Sequence, residues 1–193
     1  MEKSTLKKSS NHLNRGLIHY YFGDGKGKTT TLVGAIIRAL GHGLKPILIQ
    51  YLKLHSNRKN ERNGYFMGEI HFLQYFIEVR QFGTGIFIND FKSKSDRDFE
   101  LAEKGLKFAK KSINSGEYDI VALDEIVNAV SLNLIDIDEL INLLKSKPKH
   151  VEVFLTGAMF YKKLMKLADY SIGYNCYRHP YEKGIDARKG IEF

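Results

Sequence analysis

The run Phe22-Gly23-Asp24-Gly25-Lys26-Gly27-Lys28-Thr29-Thr30 holds the residue types that grip phosphate. Glycines let backbone N–H groups converge on an anion, and a following helix adds the partial positive charge of its first turn. Lys28 supplies a point charge, and the Thr29 hydroxyl is spaced to reach a metal ion on the phosphates. Lys26 adds a second cation and Thr30 a second hydroxyl. The common pattern G-x-x-x-x-G-K-S/T places a glycine where Phe22 stands, so the loop is a variant. The plainer reading of the same residues is a lysine-rich turn.

A second constellation is Ile120-Val121-Ala122-Leu123-Asp124-Glu125, four apolar residues ending in two acids. At the end of a strand beside a phosphate loop, such carboxylates hold a divalent cation. They would equally orient an attacking water in a hydrolase. The acids alone leave hydrolysis and group transfer both open.

These residues need elements to place them. Leu17–Phe22 reads as a strand and Leu32–Leu40 as the helix after the loop, stopped by Gly41-His42-Gly43. Pro46–Tyr51 is a buried strand and 53–63 a polar loop. A short helix falls within 64–76, and a strand at Ile77–Phe82 ends at Gly83-Thr84-Gly85. Residues 96–114 carry apolar groups at helical spacing. Strands at 118–124 and 151–157 and helices at 136–147 and 161–168 follow, with a last strand near 170–174. The alternation predicts an α/β fold, a mostly parallel sheet with helices on both faces. Ligands then bind at the carboxyl ends of the strands, where the glycine-rich and acidic segments fall.

The chain has 193 residues and a formal charge of +8. That length suits one domain over 16–193, preceded by a loose basic arm over 1–15. The positive charge suits anionic partners, yet acids interleave with the lysines through 92–111 and no nucleic-acid recognition motif is present. No apolar run approaches the roughly 20 residues of a membrane helix, and residues 1–8 lack the apolar core of a signal peptide. The single Cys176 excludes an internal disulfide and fits a reducing cytoplasm.

The final segment, Arg178-His179-Pro180 through Gly184-Ile185-Asp186-Ala187-Arg188-Lys189-Gly190-Ile191-Glu192-Phe193, carries a resemblance. Together with Phe22–Thr30, Asp119–Glu125 and Leu155-Thr156-Gly157, in that order and spacing, it is similar to the ATP:corrinoid adenosyltransferase family. Arg38–Gly43 and Gln50-Tyr51-Leu52-Lys53 share the likeness. In that family the glycine at the Phe22 position is also missing.

The resemblance implies a P-loop NTPase, RecA-like architecture. It implies transfer of the 5′-deoxyadenosyl group of ATP to a Co(I) corrinoid, cobalamin or cobinamide, with release of triphosphate. The C5′–O bond breaks, reduced cobalt is the nucleophile, and no general base is needed. Gly23, Asp24, Gly25, Lys26, Gly27, Lys28, Thr29 and Thr30 would hold the nucleotide, its triphosphate reversed relative to ordinary phosphate-loop enzymes. Lys28 and Thr29 would be catalytic, and Thr29, Asp124 and Glu125 would hold Mg²⁺ or Mn²⁺. Gly85, Ile86, Phe87 and Ile88 would face the corrinoid. An electron-donor flavoprotein, a homodimer and a cytoplasmic setting are implied with them.

Four departures from the family pattern stand out. Ile86-Phe87-Ile88 replaces Phe-x-Trp after Gly85, and Ala158 replaces an arginine after Leu155-Thr156-Gly157. Arg188 replaces a glutamine, and Arg178 a lysine. The competing readings are another P-loop ATPase or small-molecule kinase, and a nucleotide-gated module that touches nucleic acid through residues 1–15.

Overall fold

A computed structural model describes residues 13–55, 66–86 and 94–192. Residues 1–12 of the expected arm, together with Phe87 and Ile88, lie outside the described residues. Six strands form one sheet: β1 Ile18–Phe22, β2 Pro46–Tyr51, β3 Glu78–Phe82, β4 Ile120–Asp124, β5 Glu152–Thr156 and β6 Tyr170–Gly173. The order is β3-β2-β4-β5-β1-β6, and every neighbouring pair is parallel.

The strand sequences explain the layers. β2 and β4 are buried at every position, as expected of central strands covered on both faces. Side chains alternate across the sheet, so Ile120 and Ala122 join one core while Val121 and Leu123 join the other. Helices α1 (Lys28–Gly41) and α2 (Gly68–Leu73) pack on the first face. Helices α3 (Asp96–Asn114), α4 (Ile126–Ser131), α5 (Ile137–Lys145) and α6 (Lys162–Leu167) cover the second. A 3₁₀ turn at Pro180–Lys183 gives the only regular element described after β6. No helix among the described residues is long and apolar enough to cross a membrane.

The helix starts differ in a way that matters for the site. Ser95 caps α3 in a reciprocal box with Asp98, and the Asp136 carboxylate accepts from the Asp138 and Glu139 amides at the start of α5. Helix α1 begins instead at Gly27, which makes no side-chain cap. The first amides of a helix have no partner within it. Helices α2, α4 and α6 likewise start without a side-chain cap, but only α1 starts at a glycine of the phosphate-type loop.

Candidate active site

The loops after β1, β2, β3, β4 and β5 share one edge of the parallel sheet, and the chemistry-bearing residues gather there. Phe22 explains the variant loop. It is the last residue of β1, and its ring packs 4.9 Å from that of Tyr20 and 5.1 Å from that of Phe160. The turn is made one residue later, at Gly23.

The loop is clamped from below. The Gly23 amide donates to Ala158 O at 2.9 Å, the Gly25 amide to Tyr174 O at 2.9 Å, and the Tyr174 amide to Phe22 O at 2.8 Å. A Cβ on Gly25 would lie 2.8 Å from the Tyr174 carbonyl carbon, a distance real side chains do not tolerate. Gly27 turns into α1 at φ 119°, open to glycine and strained for other residues. The Gly23 and Gly25 amides, in the run expected to hold the nucleotide, are thus bonded within the fold. Lys28 Nζ donates to Gly23 O at 2.5 Å and Gly25 O at 2.8 Å, spanning the loop. Burial lowers its pKa, opposed by the charges of Glu125, Asp24 and Asp124. Asp24, Lys26 and Thr30 are exposed.

Asp124, at the end of β4, is fully buried. Its Oδ1 accepts from Thr29 Oγ1 at 3.0 Å and Thr156 Oγ1 at 2.7 Å; its Oδ2 accepts from Gln50 Nε2 at 2.9 Å and Lys53 Nζ at 2.8 Å. Lys53 Nζ also donates to Thr29 Oγ1 at 3.3 Å and pairs with Glu125 Oε1 at 3.4 Å. The Glu125 amide donates to Thr156 Oγ1, and Asn128 Nδ2 donates to the Glu125 carboxylate while its Oδ1 accepts from the Ala158 amide.

Two strained residues aim this cluster. Leu52, just before Lys53, has φ 61°, and Glu125, just after Asp124, has φ 63°. Non-glycine residues held there store on the order of 1–3 kcal/mol each and persist where the surroundings over-determine them. The charges divide accordingly. Burial works to raise the Asp124 pKa, but the Lys53 ammonium and the donated hydrogen bonds outweigh it and hold the group ionised. Glu125 lies on the other side of that balance: burial and the Asp124 charge raise its pKa against the pull of Lys53. Burial would lower Lys53, yet the two carboxylates carry its pKa above the ordinary value.

A cavity of about 810 Å³ opens beside the cluster. Thr29, Thr30, Lys53 and Glu125 line its polar end; Val33, Leu52, Met67, Ile86 and Leu132 give it apolar walls. Gly85 and Ile86 also line it. The loop carrying them is tied down by Thr84 Oγ1, which donates to the buried Asp98 at 3.1 Å. Gly190, Ile191 and Glu192 close another side. Lys26 Nζ pairs with Glu192 Oε1 at 2.8 Å, and Arg188 Nη2 with the same oxygen at 3.1 Å.

The structure thus brings Lys28, Thr29, Thr30, Asp124, Glu125, Gly85 and Ile86 to one cleft. Thr156, in a segment expected along this edge, completes it together with Gln50, Lys53 and Asn128, to which no site role was assigned from sequence. The available signal was position: each lies at, or a few residues beyond, a strand's carboxyl end. Among the described residues, no three His, Cys, Asp or Glu side chains group to hold a metal. The donors present are one hydroxyl and two carboxylates, all oxygen, which suits a hard divalent cation that takes its remaining ligands from phosphate and water. The Lys53 ammonium already stands among these atoms as a cation, so the cluster fits such an ion.

The family described as ATP:corrinoid adenosyltransferase BtuR/CobO/CobP matches residues 14–193. A corrinoid adenosyltransferase of Sinorhizobium sp is 33% identical over 184 residues, covering 93% of this chain and 81% of the relative. That of Escherichia coli K12 is 28% identical over 180 residues, covering 93% and 86%. The corrinoid adenosyltransferase CobA of Salmonella typhimurium is 27% identical over 180 residues with the same coverage. With its parallel sheet, phosphate loop and buried acid cluster, the chain belongs to the ATP:corrinoid adenosyltransferase family, transferases that adenosylate a corrinoid with ATP.

Proposed function

We propose that this cleft transfers the 5′-deoxyadenosyl group by holding the whole triphosphate as a leaving group. Lys28 and the uncapped amides of α1 face the charge that grows on the departing oxygen as the C5′–O bond breaks. Donors fixed in place before the reaction stabilise such charge without reorganising. Thr29, Asp124 and Glu125 hold a divalent ion, Mg²⁺ or Mn²⁺. When bound, that ion neutralises part of the triphosphate's charge. The reduced cobalt of the corrinoid substrate is the nucleophile, so the chain needs no base. Its task is to orient two substrates and exclude water.

The corrinoid is received at the apolar end of the cavity, by Gly85, Ile86 and the residues that follow them. Ile86 is exposed and supplies apolar bulk where the family carries aromatics. The resemblance supports three further parts of the reading: a homodimer, a flavoprotein that delivers the electrons, and a cytoplasmic setting. The exposed edge strand β6, with Tyr170 and Ile172 open, offers room for a second copy.

The observation that carries the reading is the Thr29–Asp124–Lys53–Glu125 cluster, which sets three oxygen-bearing side chains around a cation beside a cavity with apolar walls. The test is to incubate the protein with ATP, Mg²⁺ and chemically reduced cobalamin. The expected products are adenosylcobalamin, seen in the visible spectrum, and inorganic triphosphate. Orthophosphate formed without any corrinoid would assign the cleft to hydrolysis instead.

A further inference from the structure

Lys53 stands where a divalent cation would. Its ammonium lies 2.8 Å from Asp124 Oδ2, 3.3 Å from Thr29 Oγ1 and 3.4 Å from Glu125 Oε1. These are the three side chains assigned to the metal. Asp124 has no spare acceptor site. A carboxylate offers about four lone-pair positions, and Thr29, Thr156, Gln50 and Lys53 fill them. Thr156 and Gln50 are themselves fully buried on neighbouring strands and cannot withdraw. Lys53 sits at the cavity wall with its stem in a loop, so it can.

We propose that the Lys53 ammonium is a resident counter-cation that a divalent ion must displace, so that metal enters with the nucleotide rather than before it. Without nucleotide, the metal would have to evict Lys53 and leave a second positive charge a few ångströms away. An arriving triphosphate changes that balance, because it gives the freed ammonium an anionic partner in the cavity that Lys53 already lines. Metal and triphosphate are then coupled through one side chain, each favouring the other as linkage requires. The left-handed Leu52 (φ 61°) holds the backbone that returns Lys53 to the pocket once product leaves. Lys53 is a positioning residue in this account, and its role is distinct from that of Lys28 in the loop.

The inference rests on assigning Thr29, Asp124 and Glu125 to the metal, and the test separates the two. Binding of Mn²⁺ alone is followed by the paramagnetic signal of the free ion, using the full chain without nucleotide. Lys53→Met should bind Mn²⁺ at least about tenfold more tightly than the wild type, since a unit charge has been removed at contact distance. Lys53→Arg, which keeps the charge, should bind as weakly as the wild type. ATP should strengthen Mn²⁺ retention strongly in the wild type and little in Lys53→Met. Thermal unfolding gives an independent readout: Mn²⁺ should raise the midpoint of Lys53→Met and leave that of the wild type unmoved. Should Lys53→Met not fold, Lys53→Gln carries the same comparison. Equal or weaker nucleotide-free affinity in the neutral variants, with ATP-dependent Mn²⁺ binding intact, overturns the exchange and leaves the metal assignment standing. Absence of Mn²⁺ binding in every variant, even with ATP, overturns both.

Discussion

The acid cluster and the C-terminal segment wall the same cleft but are held by opposite means. Asp124 is fully buried, takes four hydrogen bonds, and is followed by Glu125 in strained backbone. Glu192 reaches the loop through Lys26 and is paired within its own segment with Arg188, and both partners' side chains are more than half exposed. Buried, fully satisfied polar networks are stiff and costly to break, whereas exposed ion pairs contribute little and are screened by salt. The first region is an internally bonded cradle; the second is a cover held by exposed ion pairs.

The widest gap between the regions should appear in catalysis. Lys28→Ala should lower adenosyl transfer by about 10²–10³-fold or more, as loss of a preorganised donor does, with the unfolding midpoint little changed. Unimpaired transfer would refute its role. Glu192→Gln, in the cover, should act mainly on KM and leave the midpoint where it was.

Stability should show the next gap. Asp124→Ala removes the partner of a mostly buried ammonium and should destabilise the fold by on the order of 3 kcal/mol, read by urea denaturation. A loss below a few tenths would mean that the cluster is not a structural cradle.

A smaller effect probes the core beneath. Tyr51 is fully buried and its hydroxyl has no partner. Tyr51→Phe removes that unsatisfied group and should leave stability equal or higher by roughly 1 kcal/mol.

The slightest effect is on the cover itself. The Arg188 and Lys26 contacts pull the Glu192 pKa from 4.5 to about 2. A carboxyl with a depressed folded value contributes in full above its ordinary pKa and loses that contribution as pH falls through the folded one. Hydrogen exchange over 185–192 should therefore quicken as pH falls from 4.5 toward about 2, after correction for intrinsic rates. It should also quicken on raising salt to about 0.5 M, where screening lengths shrink to a few ångströms. Exchange over 120–130 should stay slow in both cases. Equal responses would erase the distinction between cradle and cover.

The two regions also differed in how well the sequence revealed them. Strand–loop–helix order gave the loop, the acid pair and the α/β class, because each is local: a run of apolar residues, then glycines or acids. The helix expected at 96–114 coincides with α3, since its caps and amphipathic spacing are explicit. Helix α4 escaped notice because it is six residues long and buried on nearly every side, leaving no polar stripe to set its period. Lys53 was read as the first residue of a polar loop, since nothing in its neighbours tells that Leu52 turns left-handed and aims it inward. Gln50 lies in a run read only as a buried apolar strand; it is the Asp124 partner across the β2–β4 pairing. Strand order brings these residues together, and that order is a long-range property no local pattern encodes. Gly23 and Gly25 were expected to hold the nucleotide, and the use of their amides as clamps onto Ala158 and Tyr174 depends on the same distant packing.

The central claim is that this cradle holds a triphosphate while carbon, not phosphorus, is attacked. It is tested most directly with ATP carrying heavy oxygen in the bridge between C5′ and the α-phosphorus, reacted with chemically reduced cobalamin. The account predicts that all of the label leaves in inorganic triphosphate and that adenosylcobalamin forms in equal amount. Label retained on the nucleoside, or found only where orthophosphate is released without corrinoid, would contradict it.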